Sequence, residues 1–509
     1  MRPLLLVLSS CVSFLAQAAE PVWQETFDGT AGGWPREVRM QVPGRGTVLH
    51  ISVAPGAPNP GRTVARSVPV DTFRGKRVFF GADVKTADIS RKPNSWNGVK
   101  VMMIIETPSG KSYPQPEIPD GTCEWQRFST WVAVPENATN LVLVLGLENV
   151  TGDVWFDHVS IIPKAGFRST LKVDPLSQVF RGHSLPRLRG AMAGTDLNDE
   201  DVKYFANVWK GNLLRLQIFE SARKDRPLED YDSWLEERLQ HMDQMLAWCE
   251  RYGVMAVLDL HSPPGGQAFA AGYITARGGI FSQPQAQAKF IQVWEKMTSR
   301  YKGRQIIWGF DLVNEPDDST LAENCLDWNS LADKTARAIR AIDPDRTLII
   351  EPDQWGGAQG FASFEPLDLP RIVYSFHFYQ PMQFTHQGIH QNPAGVTYPG
   401  LFGNEHWDKD ALERAMRPAL EFAQKYRVHM YVGEFSAIRT APGESAAKYL
   451  ADVIEILEKH SFDWSYHAYR EWQGWSLEHE GPLDKPIKAQ TPSDRQKVVT
   501  GWFGKNSKQ

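Results

Sequence analysis

Residues 306–316 read IIWGFDLVNEP, an apolar run that is typical of a strand buried inside a parallel sheet. The run closes on the polar sequence Asn-Glu-Pro. The segment NSLADKTARAIRAID at 329–343 has the spacing of an amphipathic helix, and a second apolar run, TLIIEP, occupies 347–352. Strand, helix and strand in this order predict one parallel β-α-β unit.

The same unit repeats along the chain in both directions from this stretch. Further apolar runs, most of them followed by an amphipathic segment, are LRGAMAG (188–194), LLRLQIF (213–219), VMAVLDLH (254–261), RIVYSFHFY (371–379), VHMYVGEF (428–435) and DWSYHAYREW (463–472). Eight such strands over residues 187–505 predict an α/β chain with a (β/α)8 TIM barrel. A doubly wound sheet usually has fewer strands and a glycine-rich first turn, which this sequence lacks.

A different pattern occupies residues 20–165. Short runs of alternating apolar and polar residues, such as RVFFGADV (77–84) and NLVLVLGLE (140–148), are separated by clusters of proline, glycine, asparagine and aspartate. This alternation predicts an antiparallel β-sandwich of the jelly-roll type. Residues 166–186 have little periodic apolar pattern and are predicted to be a linker.

Composition and charge exclude several classes of protein. Hydrophobic residues make up 42% of the chain and charged residues 23%, the range of soluble globular proteins. The formal net charge is −5 and no long basic run occurs, which argues against a nucleic-acid partner. The spacing of the 4 cysteines suggests neither a disulfide framework nor a zinc site. We expect a monomer that uses no metal or other cofactor.

Residues 1–19 have the form of a secretory signal peptide. They begin with a basic residue, Arg2, continue with an apolar stretch and end near the small-x-small sequence AQA at 16–18. We therefore expect a cleaved leader and a secreted or periplasmic protein. Attachment of a lipid at Cys11 is the alternative, although the apolar run before it is very short. The stretch is shorter than the roughly 20 apolar residues of a membrane span, so no span is expected.

Polar and aromatic residues follow the predicted barrel strands at corresponding positions. They are Arg215, His261, Asn314, Glu315, Glu351, His377, Tyr379, Glu434 and Trp472. A strand end is often polar simply because it meets solvent. In a TIM barrel, however, the carboxyl ends of all eight strands meet at one rim, where reactive groups lie. So many such residues together predict a single site at that rim.

Two of the carboxylic acids among these residues stand out, Glu315 after the fourth strand and Glu434 near the end of the seventh. Cleavage of a glycosidic bond needs one carboxyl group that is protonated and a second that is ionised. A separation of ~5 to 5.5 Å between them gives retention of configuration, and ~6.5 to 9.5 Å gives inversion. Burial and mutual repulsion should separate their pKa values, with that of the acid raised.

The second half of the chain, from about residue 188 to 502, resembles glycoside hydrolase family 5, a family of retaining barrel glycosidases. The resemblance is carried by LRLQIF (214–219), LDLHSPPGG (258–266), WGFDLVNEP (308–316), SFHFYQP (375–381) and VGEF (432–435), in the order of the family. It implies that O-glycosyl bonds are hydrolysed through a covalent glycosyl-enzyme intermediate. It also implies that Glu315 is the general acid/base, that Glu434 is the nucleophile, and that Asn314 binds the 2-hydroxyl of the sugar.

The resemblance implies supporting roles for four more residues. Arg215 and Tyr379 are similar to the residues that contact the nucleophile, and His261 and His377 to the histidines that line the same subsite. A structural ion pair is the alternative for Arg215, and a packed core position is the alternative for each histidine.

The eighth strand departs from the family, which usually ends it with a tryptophan that supports the sugar. Here the run DWSYHAYREWQGW contains several aromatic residues. We favour Trp472 as the stacking platform, with Tyr469 and Trp475 as competitors.

The substrate that we expect is a β-linked polysaccharide, and we favour an endo-β-1,4-glucanase. A β-mannanase, an exo-β-glucanase and a catalytically silent sugar-binding barrel are the alternatives. A metal-dependent hydrolase that uses His261 and His377 is disfavoured because no His-x-His or His-Glu-x-x-His pattern occurs.

The sandwich region resembles a jelly-roll carbohydrate-binding module, on the evidence of Glu25, Phe27, Trp34 and the closing sequence GDVWFDHVSI (152–161). Trp96, in a loop rich in asparagine and proline, is a candidate for sugar stacking. Glu25 and Asp157 are candidate ligands of a structural calcium ion, although no dense acidic loop supports that site.

Overall fold

The computed structural model describes residues 23–28, 34–58, 60–164, 166–220, 227–265, 268–270, 273–275, 279–389 and 392–506. The chain divides into two compact units, Met1–Ala165 and Gly166–Gln509. The predicted signal peptide at 1–19, with Cys11, lies outside the described residues.

The first unit is a β-sandwich. Its described strands are β1 (Trp23–Glu25), β2 (Arg39–Val42), β3 (Gly46–Val53), β4 (Gly61–Val68), β5 (Arg77–Ile89), β6 (Gly98–Thr107), β7 (Gly110–Ser112), β8 (Gly121–Ala133), β9 (Asn140–Glu148) and β10 (Gly152–Pro163). One sheet has the order β2-β3-β10-β5-β8 with β1 paired to β10, and the other has the order β4-β9-β6-β7. All of these pairs are antiparallel, which confirms the predicted sandwich.

The alternation of side chains along each strand builds the sandwich core. Val84 and Phe156 of the first sheet and Met103 and Leu143 of the second are fully buried in a single apolar cluster. Successive side chains of a strand point to opposite faces, so the residues between them face outward. The two sheets therefore bury one face each.

Aromatic side chains outside this core are partly covered by basic residues of the same unit. The ring of His50 stacks on Trp155 at 4.7 Å, and the guanidinium of Arg45 lies 4.2 Å from the ring centre of Trp125. Trp96, by contrast, is 62% exposed. Binding of sugar by this unit stays a prediction.

The two candidate calcium ligands of the sandwich are occupied by basic partners. Glu25 accepts from Arg66, and Asp157 accepts from Arg45 at 3.2 Å. Each carboxylate is thereby paired with an arginine side chain of the same unit.

The second unit is a closed barrel of eight parallel strands, as predicted. They are β11 (Arg189–Ala193), β12 (Leu213–Gln217), β13 (Met255–Asp259), β16 (Ile307–Asp311), β17 (Thr347–Ile350), β18 (Ile372–Phe378), β21 (Met430–Phe435) and β22 (Asp463–Tyr469). Short hairpins in the loops are formed by β14 (Ala268–Ala270) and β15 (Tyr273–Thr275), β19 (Gly400–Phe402) and β20 (Glu405–Trp407), and β23 (His479–Glu480) and β24 (Ile487–Lys488). Each apolar run identified in the sequence contains one barrel strand.

Helices connect the barrel strands. They are α1 (Asp199–Tyr204), α2 (Tyr231–Tyr252), α3 (Gly279–Ser282), α4 (Pro284–Tyr301), α5 (Trp328–Ile342), α6 (Met382–Thr385), α7 (Lys409–Ala415), α8 (Arg417–Tyr426), α9 (Ser445–Lys459) and α10 (Asp494–Phe503). Local chemistry sets their ends: Asp327 caps α5 by accepting from the Ser330 amide, and α2 stops at Gly253, whose φ of 67° is left-handed. Among the described residues, no helix combines the length and apolarity that crossing a membrane requires.

The segment 166–186, for which the sequence predicts a linker, is part of the second unit. Phe180 and Leu185 pack against an apolar cluster formed by the first residues of several barrel strands. His183 hydrogen-bonds to Asp463 at 2.7 Å, and the Trp308 indole donates to the carbonyl of Arg181 at 2.9 Å. This segment therefore covers the amino-terminal end of the barrel, opposite the rim that carries the polar strand ends.

Candidate active site

Arg215, in the second barrel strand β12, lies fully buried at the centre of the rim. Its guanidinium donates to Glu434 Oε1 at 2.7 Å, Asp311 Oδ2 at 3.0 Å and Asn314 Oδ1 at 3.1 Å. It also contacts one oxygen each of Asp259 and Glu351, at 3.1 and 3.2 Å. Burial alone would lower the pKa of Arg215, but these four carboxylates overcome it and raise the pKa well above its usual value.

Glu434, in β21, is surrounded by hydrogen-bond donors. Its Oε1 meets Arg215, and its Oε2 accepts from the Tyr379 hydroxyl at 2.8 Å. Oε2 also lies 3.1 Å from His467 Nδ1 and 3.7 Å from His377 Nδ1. Burial acts to raise the pKa of Glu434, but the two histidines and Arg215 outweigh it and hold the pKa well below its usual value.

Glu315 follows the fourth barrel strand and has a left-handed φ of 48°, which is uncommon for a residue with a side chain. Its amide donates to Glu351 Oε2 at 2.9 Å, and its Oε1 lies 2.8 Å from His377 Nδ1. Burial raises the pKa of Glu315, and repulsion from Glu434 and Glu351 adds to that shift, against the opposing effect of His377.

The two carboxyl groups share one histidine between them. The ligand atoms of Glu315, His377 and Glu434 all lie within 4.8 Å of one another. This separation is close to the ~5 Å at which two carboxyl groups act as nucleophile and acid/base on one sugar carbon. The 2.8 Å contact between His377 Nδ1 and Glu315 has the length of a hydrogen bond.

His377 lies next to Glu351, the residue that follows the fifth barrel strand. Its Nε2 lies 3.2 Å from Glu351 Oε1, and its Nδ1 faces Glu315 and Glu434. Burial would lower the pKa of His377, yet the surrounding carboxylates raise it well above its usual value. His377 Nδ1 therefore lies beside both carboxyl groups, whose charge favours the protonated form of the ring.

Asn314 and His261 are connected to Arg215 in different ways, Asn314 directly and His261 through Asp259. Asn314 is buried beside Arg215, which fixes its carbonyl oxygen as an acceptor. His261 Nδ1 bonds to Asp259 Oδ2 at 2.8 Å, and the other oxygen of Asp259 faces Arg215. His261 is thus connected to the guanidinium through Asp259.

The aromatic residues after the eighth strand take three different positions. Tyr469 is fully buried, and its hydroxyl donates to the carbonyl of Asp201. Trp475 is 6% exposed and lies 5.9 Å from the Tyr379 ring, whereas Trp472 is 40% exposed and packs edge-on against Trp475 at 5.2 Å. The described contacts connect Trp475 to Tyr379 directly and Trp472 only through Trp475, and the identity of the platform stays a prediction.

Two residues of the site were not among the sequence candidates, His467 of β22 and Glu471 in the loop after it. His467 contacts both Tyr379 and Glu434, and its Nε2 lies 2.6 Å from Glu471 Oε2. The signal that could have found His467 is strand alternation: Ser465, two residues earlier, bonds to Tyr431 inside the barrel. Side chains two residues apart share a face, so His467 faces the same side.

Comparison with known proteins identifies a family. The sequence model of the family described as cellulase (glycosyl hydrolase family 5) matches residues 174–473. Endoglucanase C of Acetivibrio thermocellus is 30% identical over 278 residues, covering 48% of this chain and 78% of that protein. Cellodextrinase A of Ruminococcus flavefaciens is 25% identical over 279 residues, covering 54% of this chain and 79% of that protein. Among solved structures, endoglucanase Cel5A of Thermotoga maritima is 19% identical and covers 61% of this chain and 96% of its own, with a TM-score of 0.47.

Proposed function

Because the chain belongs to the cellulase family, glycosyl hydrolase family 5, and is a retaining glycoside hydrolase, we propose that it cleaves internal β-1,4 bonds of glucan chains. In this proposal Glu434 is the nucleophile and Glu315 is the general acid/base. Relatives named endoglucanase support the choice of β-1,4-glucan.

The reaction proceeds in two displacements. Glu434 attacks the anomeric carbon while Glu315 gives its proton to the departing glycosidic oxygen, which leaves as an alcohol. The sugar is then an ester of Glu434. Glu315, now ionised, takes a proton from water, the water oxygen attacks the same carbon, and Glu434 leaves as a carboxylate.

The directions of the two pKa shifts support these roles. The pKa of Glu434 is lowered, which favours the ionised form that attacks. The pKa of Glu315 is raised, which favours the protonated form that donates. Activity should be lost as pH falls through the pKa of Glu434 and as pH rises through that of Glu315.

The remaining residues position these groups. Arg215 and Tyr379 each bond to a different oxygen of Glu434, so the carboxylate plane is fixed from two sides. Asn314 presents its oxygen to Arg215, and we propose that its amide nitrogen donates to the 2-hydroxyl of the sugar.

The observation that carries the proposal is the closeness of the two carboxyl groups, within 4.8 Å, combined with their opposite pKa shifts. An inverting pair must leave room for a water molecule and stands ~6.5 to 9.5 Å apart.

The test uses defined oligosaccharides and a covalent trap. A 2-deoxy-2-fluoro cellobioside with a dinitrophenyl leaving group should inactivate the protein, and mass spectrometry should locate the label on Glu434. Cello-oligosaccharides should be cut internally, with the β-anomer appearing first by NMR. A preference for manno-oligosaccharides would overturn the proposed substrate. Release of products from chain ends only would overturn the proposed internal cleavage.

The roles of the two carboxyl groups are tested separately. Glu434→Gln should abolish turnover, and Glu480→Gln, a substitution at an exposed residue, is the matched control. Turnover that survives Glu434→Gln would remove the nucleophile assignment, and binding without any turnover by the wild type would favour a silent barrel.

We also propose that the chain is exported and acts as a monomer. The first 19 residues support export through their signal-peptide pattern. Amino-terminal sequencing of the mature protein should find a start near Ala18 or Ala19, and light scattering should give the mass of one chain. A lipid-modified Cys11 as the first residue would replace the cleaved-leader interpretation.

A further inference from the structure

We propose that His467 and Glu471 form a positioning pair for the nucleophile, in which Glu471 holds His467 so that its Nδ1–H and the Tyr379 hydroxyl both donate to Glu434. This inference rests on the proposed role of Glu434. Neither His467 nor Glu471 is needed to explain the two displacements themselves.

The contacts form a chain from the loop after β22 to the nucleophile. Glu471 Oε2 lies 2.6 Å from His467 Nε2, and His467 Nδ1 lies 3.1 Å from Glu434 Oε2. The Tyr379 hydroxyl bonds to both His467 Nδ1 and Glu434 Oε2, the latter at 2.8 Å. The side chains of His467 and Glu434 are only 13% and 5% exposed, so water screens these contacts little.

The protonation state of His467 decides where the Tyr379 proton points. In the imidazolium both ring nitrogens donate, so Nδ1–H is shared between the Tyr379 oxygen and Glu434 Oε2, and the Tyr379 hydroxyl donates to Glu434 Oε2. In the neutral ring with a proton on Nε2, Nδ1 is an acceptor and competes for the Tyr379 hydroxyl. Glu434 would then lose the Nδ1 donor and share the hydroxyl.

The charges that face His467 favour the imidazolium. Glu471 approaches from the loop that follows β22, Glu434 from β21, and the Tyr379 hydroxyl from the end of β18. Burial would lower the pKa of His467, but the two carboxylates outweigh burial and raise that pKa to about 10. Of the cations nearby, Arg215 and His377 contact Glu434 themselves.

The pair bears on both displacements. In the first, two donors keep the Glu434 carboxylate ionised and fixed in orientation. In the second, Glu434 must leave as an anion, and donors aimed at its oxygen stabilise the charge that develops. A neutral His467 weakens both steps.

The test removes the charge of Glu471 and keeps its shape. Glu471→Gln can still accept from His467 Nε2, so the site should fold, but loss of an opposite charge in contact should lower the pKa of His467 by roughly one to three units. NMR titration of the His467 ring should show this shift. Glu471→Asp, which keeps the charge, and Glu480→Gln, at an exposed residue of β23, are the controls.

Activity should change with pH in a way that a purely structural defect would not produce. For Glu471→Gln we expect kcat/KM near wild type at about pH 5 and about 10- to 100-fold below wild type at about pH 9, because a charge-assisted donor to Glu434 is lost as His467 is deprotonated. The loss should lie in kcat, with KM little changed. Glu471→Asp should restore most of the wild-type profile.

Two results would overturn the proposal: an unchanged His467 titration in Glu471→Gln, or an activity loss that is the same at every pH. The role of Glu434 is tested apart from this. In Glu434→Gly, azide should restore turnover of an activated glycoside by taking the place of the carboxylate, with an α-glycosyl azide as product. If azide fails but the titration of His467 shifts, the nucleophile assignment is wrong while the coupling of Glu471 to His467 stands.

Discussion

Replacing Tyr379 by phenylalanine removes a single hydrogen-bond donor from Glu434, the proposed nucleophile, and leaves the ring in place. The hydroxyl of Tyr379 donates to Glu434 Oε2 at 2.8 Å in a largely buried site. Hydrogen bonds to a charged group contribute about 1.5 to 3 kcal/mol, and 1.4 kcal/mol corresponds to about a tenfold change in rate. The variant should therefore lose about 10- to 150-fold in kcat/KM.

The same change should alter the acidic side of the pH profile. The hydroxyl favours the ionised form of Glu434, so its removal raises the pKa of that carboxyl. Activity of Tyr379→Phe should then fall at a higher pH than in the wild type as the solution is acidified. The measurement is kcat/KM on an aryl cellobioside across the acidic range.

A matched control distinguishes an effect that acts through Glu434 from the general effect of losing a tyrosine hydroxyl. Tyr398 also donates to a carboxylate, Asp452 Oδ2, at 2.8 Å, but in a cluster with Phe384 and Tyr449. Tyr398→Phe should cost about 1.5 to 3 kcal/mol of stability, because this hydroxyl also donates to a carboxylate, and should leave kcat/KM unchanged. A loss below about twofold in Tyr379→Phe, or equal losses in both variants, would refute the assignment of this hydroxyl to Glu434.

Three further substitutions test other parts of the barrel. Glu315→Gln should lower kcat on cello-oligosaccharides by about 10²- to 10⁴-fold. On a dinitrophenyl glycoside, whose leaving group needs no proton, the rate of the bond-breaking step should fall far less. Equal losses on both substrates would contradict an acid role. Arg215→Met leaves four buried carboxylates without their shared cation and should destabilise the fold by about 3 to 5 kcal/mol in denaturant unfolding. The control is Arg337→Met, which breaks an exposed ion pair with Asp333 on one helix and should cost less than about 1 kcal/mol. Asp463→Asn tests the amino-terminal end of the barrel, where hydrogen bonds from His183 and His429 help to lower the pKa of Asp463 against the effect of burial. Because the pKa of Asp463 is lower in the folded chain, its ionised form stabilises the fold at pH values above the unfolded pKa of about 3.9, and this stabilisation is lost as pH falls. The difference in stability between wild type and Asp463→Asn should therefore be full at neutral pH and shrink in acid. A difference that does not depend on pH would count against this.

The barrel could be predicted from the sequence because parallel strands buried on both faces must be apolar runs, and each run stands between helices of a different period. The gathering of Arg215, Asn314, Glu315, His377, Tyr379 and Glu434 followed from the same fact, since all eight strand ends meet at one rim. These residues indeed contact one another directly or through one neighbour.

Other features had a weaker sequence signal or none. The segment 166–186 covers the barrel end through specific contacts, such as those of His183 and Phe180, which require no regular period. His467 is surrounded in the sequence by aromatic residues, and its contacts are with Glu471 four residues later and with Tyr379 from another strand. Contacts between irregular loops follow from the folded geometry and leave little pattern in the chain.

Glu315 and Glu434 are the same kind of side chain, and the donors around each carboxyl group account for their opposite pKa shifts. Both are buried, and burial alone would raise both pKa values. Glu434 has Arg215, Tyr379 and His467 around its two oxygens, whereas the Glu315 carboxyl is bonded to His377, which it shares with Glu434. Removing donors from Glu434 should therefore move its pKa toward that of Glu315, and the difference between the two pKa values, which the proposed double displacement requires, should narrow with each donor lost.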